Sequence, residues 1–143
     1  MKYLLTIALF LFSLNSFGQN INISGTVLPA ATYSQLTVNS QPFQNTNYRG
    51  LHVTINVSGY TSGQYIPHIQ GLDPVSGVWY DILVGSGSNI LNSVGEVVLK
   101  VYPGSGAIPG GAASDIVPVA WRVQLVGSST PNMVLSIGFN MSY

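Results

Sequence analysis

The side chains able to do chemistry in this 143-residue sequence are few: two histidines, four carboxylates, four basic residues and no cysteine. Without Cys there is no thiolate for zinc or an iron–sulfur cluster, no thiol nucleophile and no disulfide framework. His52 and His68 fall on separate predicted strands with neither HxH nor HExxH spacing, so they do not predict a metal pair. Asp73, Asp81, Glu96 and Asp115 lack the dense oxygen-ligand spacing of a calcium loop, and Asp73 is accounted for by a turn. Serine is abundant without a nucleophile elbow, and the glycines of Gly85-Ser86-Gly87 precede no helix that could cradle phosphate. These residues predict no catalytic centre, no metal site and no cofactor.

Binding chemistry has more material. Tyr60, Tyr65, Trp79 and Tyr80 cluster around two predicted strand connections, and aromatic faces on a sheet edge can stack on sugar rings at little entropic cost. Strand alternation also sends at least one of the adjacent pair Trp79 and Tyr80 into a core. Arg49 and Arg122 are expected to pair with Asp73 or Asp81 inside the fold, or else to hold a neighbouring copy. Only 6% of the chain is charged, which excludes a polyanion binder driven by counterion release, so nucleic acid is not an expected partner. An exterior of neutral polar groups offers little like-charge repulsion, and copies can therefore pack closely.

The elements that must position these residues begin after an address. Met1-Lys2, the apolar run Tyr3 to Leu14 and the small residues Ser16 and Gly18 read as a secretory signal peptide over residues 1–18, cut before Gln19. The run is too short for a membrane span, which needs roughly 20 apolar residues. Export places the protein in the periplasm, outside the cell or on its surface. The exported part carries Arg49, Lys100 and Arg122 against Asp73, Asp81, Glu96 and Asp115. Residues 19–46 are polar, interrupted by Pro29 and Pro42, and read as an arm or irregular first strands with one strand from Tyr33 to Val38.

From residue 47 to 143 a period of two dominates. Leu51, Val53, Ile55 and Val57 alternate with polar residues, Gly59 to Gly63 reads as a turn, and strands follow at 65–72 and 78–84. Their link, Asp73-Pro74-Val75-Ser76-Gly77, has the residues of a hairpin turn: a side-chain acceptor, a preset φ and a glycine to close. Glu96 to Tyr102 is a further strand, and residues 103–118, with four Gly and three Pro, read as a long mobile loop. Val119 to Val126 and the stretch from Met133 to Ser142 complete the set. Strands with one apolar face each must close against one another, which predicts an all-β fold, an antiparallel two-sheet β-sandwich, with a jelly roll or small barrel as the alternative.

Asn47-Tyr48-Arg49-Gly50, then Asp73-Pro74-x-Ser76-Gly77-x-Trp79-Tyr80, a Gly/Pro-rich loop, Trp121-Arg122-Val123 and a last strand with Gly138 at its centre together resemble a group of small β-rich proteins encoded among the structural genes of tailed bacteriophages. The resemblance covers residues 47–143, with Asn47, Arg49, Asp73, Pro74, Gly77, Trp121 and Arg122 as its structural motif. It implies a virion-associated accessory or decoration subunit with no catalytic residues, whose partner is another copy, a capsid or a cell surface. The export signal departs from that group, and a domain displayed outside a bacterial cell reconciles the two. The competing expectation is a secreted glycan-binding or adhesion module using Tyr60, Tyr65, Trp79 and Tyr80.

Overall fold

A computed structural model describes residues 22–143, so the signal peptide expected over residues 1–18 lies outside the described residues. Eight strands follow in order: β1 (Ile23–Tyr33), β2 (Thr37–Asn39), β3 (Phe43–Gln44), β4 (Gly50–Leu72), β5 (Trp79–Val84), β6 (Gly95–Val101), β7 (Ala112–Ala113) and β8 (Ala120–Ser142). The only helical turn among the described residues is a 3-10 turn at Gly87–Asn89. None of the described residues forms a helix long and apolar enough to cross a membrane.

The body of the fold is one antiparallel ribbon. β4 and β8, each 23 residues long, run side by side from Gly50↔Ser142 to Gly71↔Trp121. Odd-numbered apolar residues face inward along both: Leu51, Val53, Ile55, Val57, Tyr65 and Ile69 on β4, and Trp121, Val123, Leu125, Met133, Leu135, Ile137, Phe139 and Met141 on β8. Burying each such side chain contributes about 1.5–3 kcal/mol. A straight strand would put Trp121 and Phe139 about 60 Å apart, yet their ring centroids lie 5.4 Å apart in an edge-to-face contact. The ribbon therefore doubles back, and its single apolar face closes on itself.

The crease falls where the pairing register slips, between Val57 and Gln64 on β4. There Gly63 alone opposes Ser129, Thr130 and Pro131, because its flanks pair as Ser62↔Asn132 and Gln64↔Ser128. This is a bulge with three residues against one, which bends a strand sharply. Ser129 and Thr130 adopt φ of 56° and 47°, and Gly63 adopts 71°. The segment Gly59–Gly63, expected as a turn between two strands, is thus the bend of one long strand. The same holds for the gap expected between residues 126 and 133.

Two layers result from one hydrogen-bonded sheet. In the first, β1, the end of β8, the start of β4, β6 and β7 lie in that order; in the second, β2 and β3 flank the start of β8, followed by the end of β4 and β5. The all-β, sandwich-like expectation is met. The pairing is antiparallel except for the short parallel β6–β7 pair.

Several details differ from the sequence reading. The expected strand Tyr33–Val38 is broken at residues 34–36, where the chain passes from the edge of one layer to the edge of the other. Leu36 O accepts from Gly127 N there, and its side chain is exposed. β1 carries no alternating pattern, because its register shifts twice and buries the consecutive pair Val27 and Leu28 instead of alternate residues. Residues 103–118 hold β7 and a bridge between Ile108 and Ala112, with Lys100 N and Tyr102 N donating to Gly111 O and Ala113 O.

Candidate binding surface

On the outer face of the second layer, polar side chains from four strands, even-numbered on β4 and β8 and odd-numbered on β5 and β2, form one connected array. Gln70 on β4 lies at its centre and is only 7% exposed. Arg122 Nε on β8 donates to Gln70 Oε1 at 2.8 Å, and Gln70 Nε2 donates to Asp81 Oδ1 on β5 at 2.8 Å and to Gln124 Oε1 at 3.2 Å. Gln124 Nε2 in turn donates to Asn39 Oδ1 on β2 at 2.9 Å. The register explains this meeting, because Gln70 pairs with Arg122 on one side and Asp81 on the other. A buried amide with both ends bonded avoids the desolvation penalty of an unpaired group.

Trp79 adds an aromatic wall. The Arg122 guanidinium carbon lies 4.3 Å from the ring centroid, a cation–π contact, and burial pushes the Arg122 pKa below its ordinary value. His68 Nδ1 approaches Asp81 Oδ1 to 3.0 Å, but the ring nitrogen is not aligned for a hydrogen bond, so the contact is one of proximity alone. No three His, Cys, Asp or Glu side chains converge among the described residues. The array offers planar donors, acceptors and one indole, which is equipment for binding.

The residues singled out from the sequence scatter. Tyr65 is fully buried and its hydroxyl donates to Gln35 O at 2.8 Å, so its ring has no free face to offer a ligand. Tyr60 is exposed at the crease, while Trp79 and Tyr80 lie at the far end of the second layer, paired with Leu72 and Gly71. Tyr80 is 45% exposed and Trp79 half-buried, so neither enters the core as alternation had required; Tyr80 instead covers Gly71 beside Pro118. The core takes Trp121, which stacks on Phe43 at 5.2 Å.

Asp73 does build the turn. Its Oδ1 accepts from Val75 N and its Oδ2 from Ser76 Oγ, Gly77 N donates to its carbonyl, and Gly77 takes φ of 70°. Pro74 sits exposed between them. The bonds from Val75 and Ser76 hold the Asp73 carboxyl below the usual carboxylate range. Arg122 reaches Asp81 through Gln70 rather than directly, and Arg49 has no ion-pair partner among the described residues. Asn47 is exposed, its N–H donating to Asn45 Oδ1. The two histidines share one strand, β4, but lie in different layers.

Gln70, His68, Asp81, Gln124 and Asn39 went unremarked in the sequence as a group. Their signal was planar polar residues of one parity on each strand, even on β4 and β8 and odd on β5 and β2, legible only once the register is known.

No sequence-family model and no curated protein matches this chain. Among solved structures it is similar to a chain in the structure of infectious bursal disease virus, Gx strain, with a TM-score of 0.55 and 11% identity over 87% of this chain and 32% of that one. A chain in the structure of the Gt strain of the same virus gives a TM-score of 0.44 at 10% identity, over 87% of this chain and 33% of that one. This chain spans about a third of the length of each, and the first likeness is one of fold.

Proposed function

We propose that the chain is a structural subunit without catalytic activity that works by packing against protein surfaces, either further copies of itself or the surface of a particle or cell. The fold shared with a chain in a virus structure, over 87% of the present chain, carries this reading. Two features support it. β5 and β7 are edge strands, each hydrogen-bonded to a single neighbouring strand, and such edges are templates for pairing. The exterior has few charges with which to repel a second copy. The finer form of the reading, an exported accessory or decoration protein of the tailed-bacteriophage kind, rests on the Asp73–Tyr80 hairpin and the Trp121-Arg122 strand start. Size-exclusion chromatography with light scattering on the purified protein tests it: oligomers, or attachment to capsids or cell surfaces, are expected. A strict monomer at tens of micromolar that attaches to neither overturns it.

A second reading, a glycan-binding or adhesion module, is favoured by one observation, the half-buried Trp79 beside the polar array of Arg122, Gln70 and Asp81. A glycan array checks it, since binding at this face is lost in Trp79→Ala and retained in Tyr60→Ala, which alters the distant crease.

A further inference from the structure

At the end of the sandwich away from the crease, Arg49, Tyr102, Pro103 and Tyr143 line a cleft of about 240 Å³. We infer that this cleft binds a single acidic sugar unit, the Arg49 guanidinium taking its carboxylate and the two tyrosines flanking its ring.

The cleft is built by separate elements that fix each wall. Arg49 is held at its backbone, where its N–H donates to Ser142 O at 3.0 Å, and its side chain is left exposed. Tyr102 lies against Gly50, where a Cβ would run into the ring, and its hydroxyl shares a 2.8 Å hydrogen bond with Ser142 Oγ. Tyr143 packs its ring on Tyr48 at 4.8 Å while remaining 43% exposed. Both rings are therefore positioned before any ligand arrives, which lowers the ordering cost of binding.

Charge accounting leaves Arg49 and Lys100 without an ion-pair partner among the described residues, and of the two only Arg49 lines this cleft. Of the cations among the described residues, Arg122 is engaged with Gln70 and Trp79, and Lys100 lies across the strand pair from His52. Among the described residues, Arg49 has neither an ion-pair partner nor a ring over which its guanidinium is stacked. A guanidinium matches a carboxylate with two parallel hydrogen bonds. A guanidinium also pairs with phosphate, but the lining of this cleft adds neither a second cation nor a nest of free backbone N–H groups for the remaining phosphate oxygens. Here Pro103 has no N–H, Gly104 N donates to Ser114 Oγ, and Ser105 N donates to Tyr102 O. Pyranose C–H faces and hydroxyls match phenol rings that carry both an apolar face and a polar tip. The volume falls below the roughly 300–1,000 Å³ of drug-sized sites, which suits one sugar ring rather than an oligosaccharide.

This inference stands apart from the assembly reading and uses none of the residues around Trp79. The test is a titration of the isotope-labelled protein by NMR with glucuronate and N-acetylneuraminate as probes, and glucose and inorganic phosphate as comparisons. Saturable shifts centred on Arg49, Tyr102 and Tyr143 with one or both acidic sugars, and none with glucose or phosphate, are expected. Arg49→Gln keeps the backbone N–H and should weaken binding at least about tenfold, as loss of a charge-assisted pair predicts. Tyr143→Ala, which leaves the cation in place, should weaken it as well. No saturable shift with either acidic sugar, an equal response to phosphate, or unchanged binding in Arg49→Gln overturns the inference.

Discussion

At Gly63 a Cβ would lie 2.6 Å from Pro131 Cα and 2.8 Å from Ser129 O, on a backbone already at φ of 71°. Both the left-handed conformation and the missing space oppose a side chain, so Gly63→Ala should destabilise the fold by roughly 2–4 kcal/mol. Urea unfolding measures this, and a change below about 0.5 kcal/mol, the scatter of neutral surface substitutions, would mean that the crease relaxes around the methyl group. Two ionisable residues set separate pH dependences. Burial, reinforced by Lys100 across the strand pair, holds the His52 imidazole below its ordinary pKa, with Asn140 opposite and the Tyr102 ring 6.0 Å away. The unfolded chain then takes up a proton more readily than the folded one, so this contribution is full above the ordinary histidine pKa of about 6.5 and is lost as pH falls through the lower folded value. Asp73 behaves likewise in the acid range: with its folded pKa depressed by bonds from Val75 and Ser76, its contribution is present above the ordinary carboxylate pKa and lost below the folded one. Unfolding midpoints against pH should therefore lose their near-neutral slope in His52→Gln and part of their acid slope in Asp73→Asn, each variant leaving the other's window unchanged.

At the scale of elements, the array across β5, β4, β8 and β2 ties the second layer together through Gln70. Arg122→Ala leaves Gln70 Oε1 buried and unpaired and uncovers Trp79, which should cost about 1–3 kcal/mol for the orphaned oxygen. Arg122→Lys should rescue little, because an ammonium supplies neither the Nε geometry nor the planar face over the indole. Thermal unfolding of the pair of variants checks both expectations. The same elements show which parts of the molecule a reader of the sequence can reach. The halves of β4 and β8 were legible because each buries every second residue, and the β4–β5 hairpin because Asp73, Pro74 and Gly77 carry their turn locally. β1 was not, since two register shifts destroy its alternation. Continuity of β4 through Gly59–Gly63 was hidden too, for a glycine-rich bend and a hairpin turn look alike until the opposing Ser129–Pro131 is in place. Trp79 and Tyr80 defeated the alternation argument because β5 lies at the edge of its sheet, where a side chain of inward parity can still reach solvent. Arg122 meets Trp79 only through tertiary register, which no local pattern encodes.

For the molecule as a whole, the distribution of charge decides what kind of association the fold can support. The described residues carry Arg49, Lys100 and Arg122 against Asp73, Asp81, Glu96 and Asp115, and of these Arg122 and Asp81 are already drawn into one array. In the proposed assembly, contacts between copies would then rest on apolar surface and on the backbone groups of open edges, both of which respond weakly to screening. Raising the salt concentration from about 0.05 to 0.5 M shortens the Debye length from roughly 14 to 4 Å and would dissolve an assembly held by surface ion pairs. For this protein, sedimentation at the two salt concentrations should show an assembled fraction that is unchanged or larger at the higher one, since burial of apolar surface does not weaken as ions are added. A sharp loss of assembly with salt would place the contact on the few charged groups instead. The proposed capture of an acidic sugar at Arg49 should show the opposite trend, weakening over the same range, so the two proposals are separable on one preparation by a single variable.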